Sequence, residues 1–260
     1  MKEKRRVAIF AFDGFMDVDV LETKIRNLLD IGPLRSIVSH IKINDAVHLA
    51  DCSGPCLVFR IRKIIDSFGL SKDVGIMLDL KFGDTSGTLI NYGKHYNLTN
   101  LDILTVSSIC STEGLITLRH AFSQSKIALV SVLTEMSRRE CLMRWNYLPE
   151  LKIFRDILFI EECSSKNSRE LFDLVVCSPL ELPFLRLNLK GKHGFITPGI
   201  RDDWMLIGQQ NRFTGVRRAL ETGADYVVLG SQLTAGNPQS GISVEESIRR
   251  TIEEIEKASL

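Results

Sequence analysis

Asp79, Lys81 and Asp84 fall within six positions of one another in the stretch MLDLKFGDTSGT, residues 77–88, where an apolar run gives way to polar residues. Alternate side chains of an extended strand share a face, so Asp79 and Lys81 point the same way, roughly 6.6–7 Å apart along the strand. Leu78, Leu80 and Phe82 then point to the opposite face. An acid and a base aimed together into a core form a plain structural ion pair. Aimed into a cavity, the ammonium stabilises developing negative charge or delivers a proton.

What must position such residues is legible in the rest of the chain. Short apolar runs recur at 7–12, 39–44, 75–82, 102–108, 126–134, 172–178, 194–199 and 225–231, and each reads as a strand. Helical patterns fall between them, at 18–30, 56–68, 114–125 and 213–224, and a last amphipathic stretch at 243–258 opens with a Ser-x-x-Glu capping box. Residues 137–170 are more than one crossover requires and are expected to hold an extra helix. Strand then helix, repeated eight times, predicts an α/β fold of the (β/α)8 barrel type, a single domain spanning residues 1–260. An open doubly wound sheet is the other arrangement, but no G-x-G-x-x-G follows the first strand.

In a barrel of this kind the chemistry sits at the mouth where the strands end. The first strand ends at Asp13, the second carries Lys42, and the third carries Asp79 and Lys81 with Asp84 just beyond. Charged groups converging at one mouth are costly to bury unless something uses them, so the functional reading leads.

Composition narrows the partner. With 33 basic and 32 acidic residues the net charge is +1, which carries no electrostatic footprint for nucleic acid or a membrane surface and favours a small molecule. The apolar run after the charged start is six residues long and stops at Asp13, too short for a secretory h-region or a membrane span. Six scattered cysteines fit a reducing compartment, so a cytoplasmic location is expected. The pair in DCSGPC lacks C-x-x-C spacing and no second pair faces it, the five histidines show no ligand spacing, and no metal is expected.

On these residues the chain resembles the orotidine 5′-monophosphate decarboxylase family of cofactor-free barrel enzymes, nearly end to end. The family's Asp-x-Lys-x-x-Asp motif stands as Asp79, Lys81 and Asp84, with its following threonine at Thr88. Its second-strand lysine matches Lys42 and its first-strand aspartate matches Asp13 in AFDGF. Glu135-Met136-Ser137 matches a fifth-strand EMS, TPGIR is intact at Thr197–Arg201, and GADYVVLGSQLT aligns with the eighth-strand phosphate segment. The resemblance implies decarboxylation of orotidine 5′-monophosphate to uridine 5′-monophosphate and CO2 in pyrimidine synthesis, with Lys81 as proton donor and no cofactor. It implies an array of Lys42, Asp79, Lys81 and Asp84, with Asp84 and Thr88 acting in the partner's site of a homodimer. Asp13 and Lys42 would hold the ribose, Ser137 would contact the pyrimidine, and Pro198, Gly199 and Arg201 would lie near the base or phosphate.

The chain also departs from the family. Ser231 stands where an arginine usually forks onto the substrate phosphate, a loss worth roughly ten- to a hundredfold in binding at about 1.5–3 kcal/mol for a charge-assisted hydrogen bond. Backbone N–H groups near Gly230 are an alternative cradle, and Arg201 or Arg212 an alternative cation. A GDQ loop reads Gly208-Gln209-Gln210, keeping Gln210. Gly87 replaces an asparagine and Ser107 a histidine. Two other readings stay open: a related decarboxylase acting on another phosphorylated substrate such as a sugar acid, and a non-catalytic ligand-binding barrel.

Overall fold

The structure is a computed structural model and describes residues 6–49, 53–96, 100–166, 170–205 and 213–258. Eight parallel strands close into a barrel in sequence order: β1 (Ala8–Phe12), β2 (Val38–Ile43), β3 (Gly75–Phe82), β4 (Ile103–Ser107), β5 (Lys126–Val130), β6 (Leu174–Val176), β7 (Gly194–Thr197) and β8 (Tyr226–Leu229). Each lies within an apolar run of the sequence, apart from β2, which starts one residue earlier. The helices are α1 (Val18–Asp30), α2 (Gly32–Arg35), α3 (Gly54–Ser67), α4 (Ser86–Tyr96), α5 (Thr112–Ala121), α6 (Arg138–Trp145), α7 (Pro149–Lys166), α8 (Leu182–Leu189), α9 (Val216–Glu221), α10 (Ser231–Thr234) and α11 (Val244–Ala258).

Local chemistry sets the helix ends. Asp17 caps α1 by accepting from Val20 N (2.9 Å), and Ser53 precedes α3, whose proline falls in the first turn. The Ser243 hydroxyl accepts from Glu246 N (3.2 Å) at the start of α11. The long segment after β5 holds two helices, α6 and α7, the crossover helix and the one extra that its length predicts. The helix expected from residue 213 begins only at Val216, because Thr214 forms a parallel bridge with Ile200 instead.

Alternation sorts the strands into two cores. Ile9, Met77, Ile103, Ala128, Val130, Leu174, Val176 and Ile196 fill the barrel interior. Outward residues such as Phe10, Ile41, Leu78, Leu104, Leu129, Val175 and Phe195 join the larger core under the helices.

The end of the barrel where strands begin is fastened by one contact pattern used three times. An aspartate stands one residue before each of β4, β6 and β8. Asp102 accepts from Ile76 N (2.7 Å) and Arg62 (2.6 Å), Asp173 from Ile127 N (2.7 Å) and Arg119 (2.5 Å), and Asp225 from Phe195 N (2.8 Å) and Arg186 (2.5 Å). Each arginine comes from the helix before the preceding strand and also donates to backbone carbonyls, for example Arg119 to Ser125 O (3.1 Å). No helix among the described residues is long and apolar enough to cross a membrane.

Candidate active site

At the opposite end the strand termini enclose a cavity of about 850 Å³. Its floor is the upper layer of the barrel interior, Met77, Val130, Val176, Ile196 and Val228. One wall, from β1 to β3, is charged; the side between β7 and β8 carries Pro198, Gly199, Arg201, Gly230 and Ser231.

The charged wall is a continuous chain of contacts. Lys42 Nζ lies 2.9 Å from both carboxylate oxygens of Asp13 and 3.3 Å from Asp79 Oδ2. Asp79 Oδ1 in turn receives Lys81 Nζ at 3.1 Å. Exposure rises along this chain: the Lys42 side chain is 6% exposed, Asp79 14% and Lys81 34%. Burial opposes charge on Lys42, yet Asp79 and Asp13 together outweigh it and hold its pKa above the ordinary lysine value. Lys42 is therefore a fixed cation, held on two sides. Lys81 has one carboxylate partner, Asp79, among the described residues and otherwise faces the cavity.

Simple alternation does not explain how Lys81 reaches that position. Leu78 pairs with Leu104 and Phe82 with Val106, so four steps along β3 oppose two along β4, and two residues are taken up in a bulge. Lys81 sits there at φ 49°, in the left-handed region that residues with a side chain adopt at a cost of about 1–2 kcal/mol. Thr105 holds the bulge. Fully buried on β4, it accepts from Lys81 N (2.8 Å) and donates to Asp79 Oδ1 (2.9 Å). The sequence reading missed Thr105, although a hydroxyl in the middle of the apolar run of β4 was the available signal. Asp45 was missed too; its carboxylate accepts from Gly14 N (2.9 and 3.1 Å) and so fixes the turn that follows Asp13.

The side between β7 and β8 is open and lightly charged. Gly199 has φ 80°, which leaves backbone facing the cavity where a side chain would be strained. The Arg201 guanidinium donates to Ile200 O (2.7 Å) and meets no carboxylate among the described residues, and burial pushes its pKa down. Ser231 lines the cavity at the start of α10, a helix of four residues.

Of the residues expected at the site, Asp13, Lys42, Asp79, Lys81, Pro198, Gly199, Arg201, Gly230 and Ser231 all line this cavity. Asp84, Thr88 and Ser137 are not part of its lining. Asp84 is exposed, and its carboxylate accepts from Thr85 N (2.6 Å) and bonds Thr88, which together hold its pKa below the usual value. Ser137 caps α6 by accepting from Glu140 N (3.2 Å), and its neighbours Leu133, Thr134 and Glu135 line the cavity instead. Gln210 and Arg212 lie outside the described residues. Among the described residues no group of three or more His, Cys, Asp or Glu side chains is arranged to hold a metal ion.

Comparison with known proteins agrees with this fold. The profile of the orotidine 5′-phosphate decarboxylase / HUMPS family matches residues 18–242. An orotidine 5′-phosphate decarboxylase of Gloeothece citriformis is 29% identical over 231 residues, covering 86% of this chain and 90% of that one. Among solved structures, the enzyme of that name from Lactobacillus acidophilus superposes with a TM-score of 0.65 at 21% identity, covering 97% and 98% of the two chains. Orotidine 5′-monophosphate decarboxylase from Methanocaldococcus jannaschii, solved with the inhibitor BMP, gives 0.63 at 18% identity, covering 96% and 99%.

Proposed function

The chain belongs to the orotidine 5′-phosphate decarboxylase / HUMPS family, and from that premise we propose that it converts orotidine 5′-monophosphate to uridine 5′-monophosphate and CO2, as a cytoplasmic homodimer. The observation that carries this reading is the Lys42–Asp79–Lys81 chain of contacts, which ends in an ammonium facing a cavity of about 850 Å³. A nucleoside monophosphate fits a cavity of that size and polarity.

The chemistry follows from the order of charges. The bond from C6 to the carboxylate breaks, CO2 leaves, and the electron pair stays on C6, where the ring delocalises it poorly. The Lys81 ammonium stabilises that pair as it develops and then gives C6 a proton. Asp79 lies against the substrate carboxylate and favours its departure, while Asp79 and the bulge at Thr105 keep Lys81 aimed. Lys42 and Asp13 hold the ribose hydroxyls, one as donor and the other as acceptor. The apolar floor and the loop of Leu133 to Glu135 take the pyrimidine ring.

The phosphate goes to the side between β7 and β8. Ser231 brings no charge there, and α10, at four residues, contributes little of a helix dipole. Arg201 is the cation, assisted by backbone at Gly199 and Gly230. Asp84 and Thr88, outside the cavity of their own chain, serve the partner's site.

Purified protein should consume orotidine 5′-monophosphate, followed by its loss of absorbance, and leave a phosphorylated sugar acid untouched. Turnover of the sugar acid alone would assign the chain to the other branch of chemistry. Turnover of neither substrate at high concentration would favour a binding role.

A further inference from the structure

Behind Arg201 lies a buried polar cluster that the reaction does not use. Asp202, 8% exposed, accepts from Val216 N at the start of α9 (3.0 Å) and from Gln232 Nε2 (2.9 Å). Asp202 N returns a bond to Gln232 Oε1 (3.3 Å), so the two residues are joined in both directions. Gln232 is fully buried and also donates to Thr251 of α11 (3.0 Å). Ser247 of α11 donates to Gln232 O (2.8 Å) and accepts from Trp204 Nε1 (3.3 Å). Asn237 Nδ2 donates to Trp204 O (2.8 Å). A Cβ at Gly215 would approach Asp202 Oδ1 to 2.5 Å, so the carboxylate fills the space that glycine leaves.

Asp202 directly follows Arg201, and Gln232 directly follows Ser231. The pair thus ties the two segments that form the lightly charged side of the cavity. We propose that Asp202 and Gln232 are positioning residues for Arg201: their buried side-chain pair holds the segment after β7 against α10 and keeps the guanidinium where Ser231 supplies no cation. This inference rests on the nucleotide reading above. A free arginine loses rotamer entropy when it grips a phosphate, and a backbone already fixed on both sides reduces that loss.

Asparagine at 202 keeps the pair. Its carbonyl accepts from Val216 N. With the Gln232 amide turned over, its amide donates to Gln232 Oε1 and the Thr251 hydroxyl donates to the same oxygen, at the cost of the 3.3 Å bond from the backbone N of residue 202. Alanine at either position breaks it and strands buried donors.

The test compares wild type, Asp202→Ala, Gln232→Ala and Asp202→Asn, with folding checked by circular dichroism and thermal melting. Calorimetry measures uridine 5′-monophosphate and uridine on each. Wild type should prefer the monophosphate; the preference should fall roughly tenfold in the alanine variants and persist in Asp202→Asn, with uridine affinity equal in all four. In turnover assays the alanine variants should raise KM by about the same factor and leave kcat within about twofold. Gln232→Ala carries the test if Asp202→Ala does not fold. A wild-type preference that survives both alanine substitutions would overturn the inference and leave the proposed function standing. Equal wild-type affinity for the two ligands, without turnover, would overturn both.

Discussion

The two ends of this barrel both hold ion pairs between charged side chains, and they are finished differently. Where the strands begin, Asp102, Asp173 and Asp225 each accept from an arginine and from a backbone N–H, and the arginines also spend donors on backbone carbonyls. Both partners bond to the fold itself, although the aspartates stay 22–42% exposed. Where the strands end, Lys42 is closed between two carboxylates, but the next ammonium, Lys81, has one carboxylate and then the cavity. Its residue is also strained, at φ 49° in a bulge. A charge paired within the fold serves to fix one arrangement. A charge left facing a cavity is available to a ligand, and strain at that residue has a use only there.

Several substitutions sharpen or break this contrast. At the strand-end array, Asp79→Asn should lower kcat on the order of 10³-fold while the melting temperature moves little, read from turnover and thermal melting of the same samples. Asp84→Ala should be equally damaging alone. Mixed and reassembled with Lys81→Ala chains, it should regain about a quarter of wild-type activity, because half the dimers are mixed and each has one intact site. No regain on mixing would place Asp84 in its own chain's site.

Arg201→Ala should raise KM about ten- to a hundredfold with kcat nearly constant, the loss of a charge-assisted contact to phosphate. At the opposite end, Arg119→Ala should cost roughly 2–3 kcal/mol in denaturant unfolding and leave kcat and KM unchanged. That is below the usual figure for breaking a buried pair because Asp173 is 34% exposed. A comparable loss of turnover there would erase the distinction between the two ends.

The smallest effect is a pH dependence of stability. Burial pushes the Asp202 carboxyl up to about 6, against the pull of the Gln232 and Val216 donors, and Glu254 and Asp203 add to the push. A carboxyl with a raised folded pKa favours the native state most below its unfolded value of 3.8, and that contribution is lost as pH rises through about 6. Asp202→Asn should therefore melt about 2–4 °C above wild type at pH 8 and lose that margin on acidification towards pH 4.

Much of this was legible in the sequence, for physical reasons that can be named. The strands were readable because each is a short apolar run bounded by turn residues, and closed barrels bury both faces of every strand. Asp79, Lys81, Lys42 and Asp13 were readable because a charge at the end of such a run has few structural uses. The bulge was not, since two extra residues in β3 leave the residue pattern unchanged and only the pairing with β4 reveals them. The threefold aspartate motif was present as LDIL, FDLV and ADYV but carries meaning only once arginines from distant helices arrive. Ser137 with Glu140 spells a capping box, and that local signal outweighs a role against the ring. Gln232 reads as an ordinary polar residue, and its burial depends on α11 packing over it.

Lys81, unlike the ion pairs that fasten the fold, is expected to do the chemistry. The most direct measurement follows orotidine 5′-monophosphate turnover by wild type and Lys81→Ala, with uridine 5′-monophosphate affinity determined on both. Turnover is expected in the wild type, with a loss on the order of 10³-fold or more in the variant and nucleotide binding kept within about tenfold. Wild-type turnover that survives the substitution would contradict that role for Lys81.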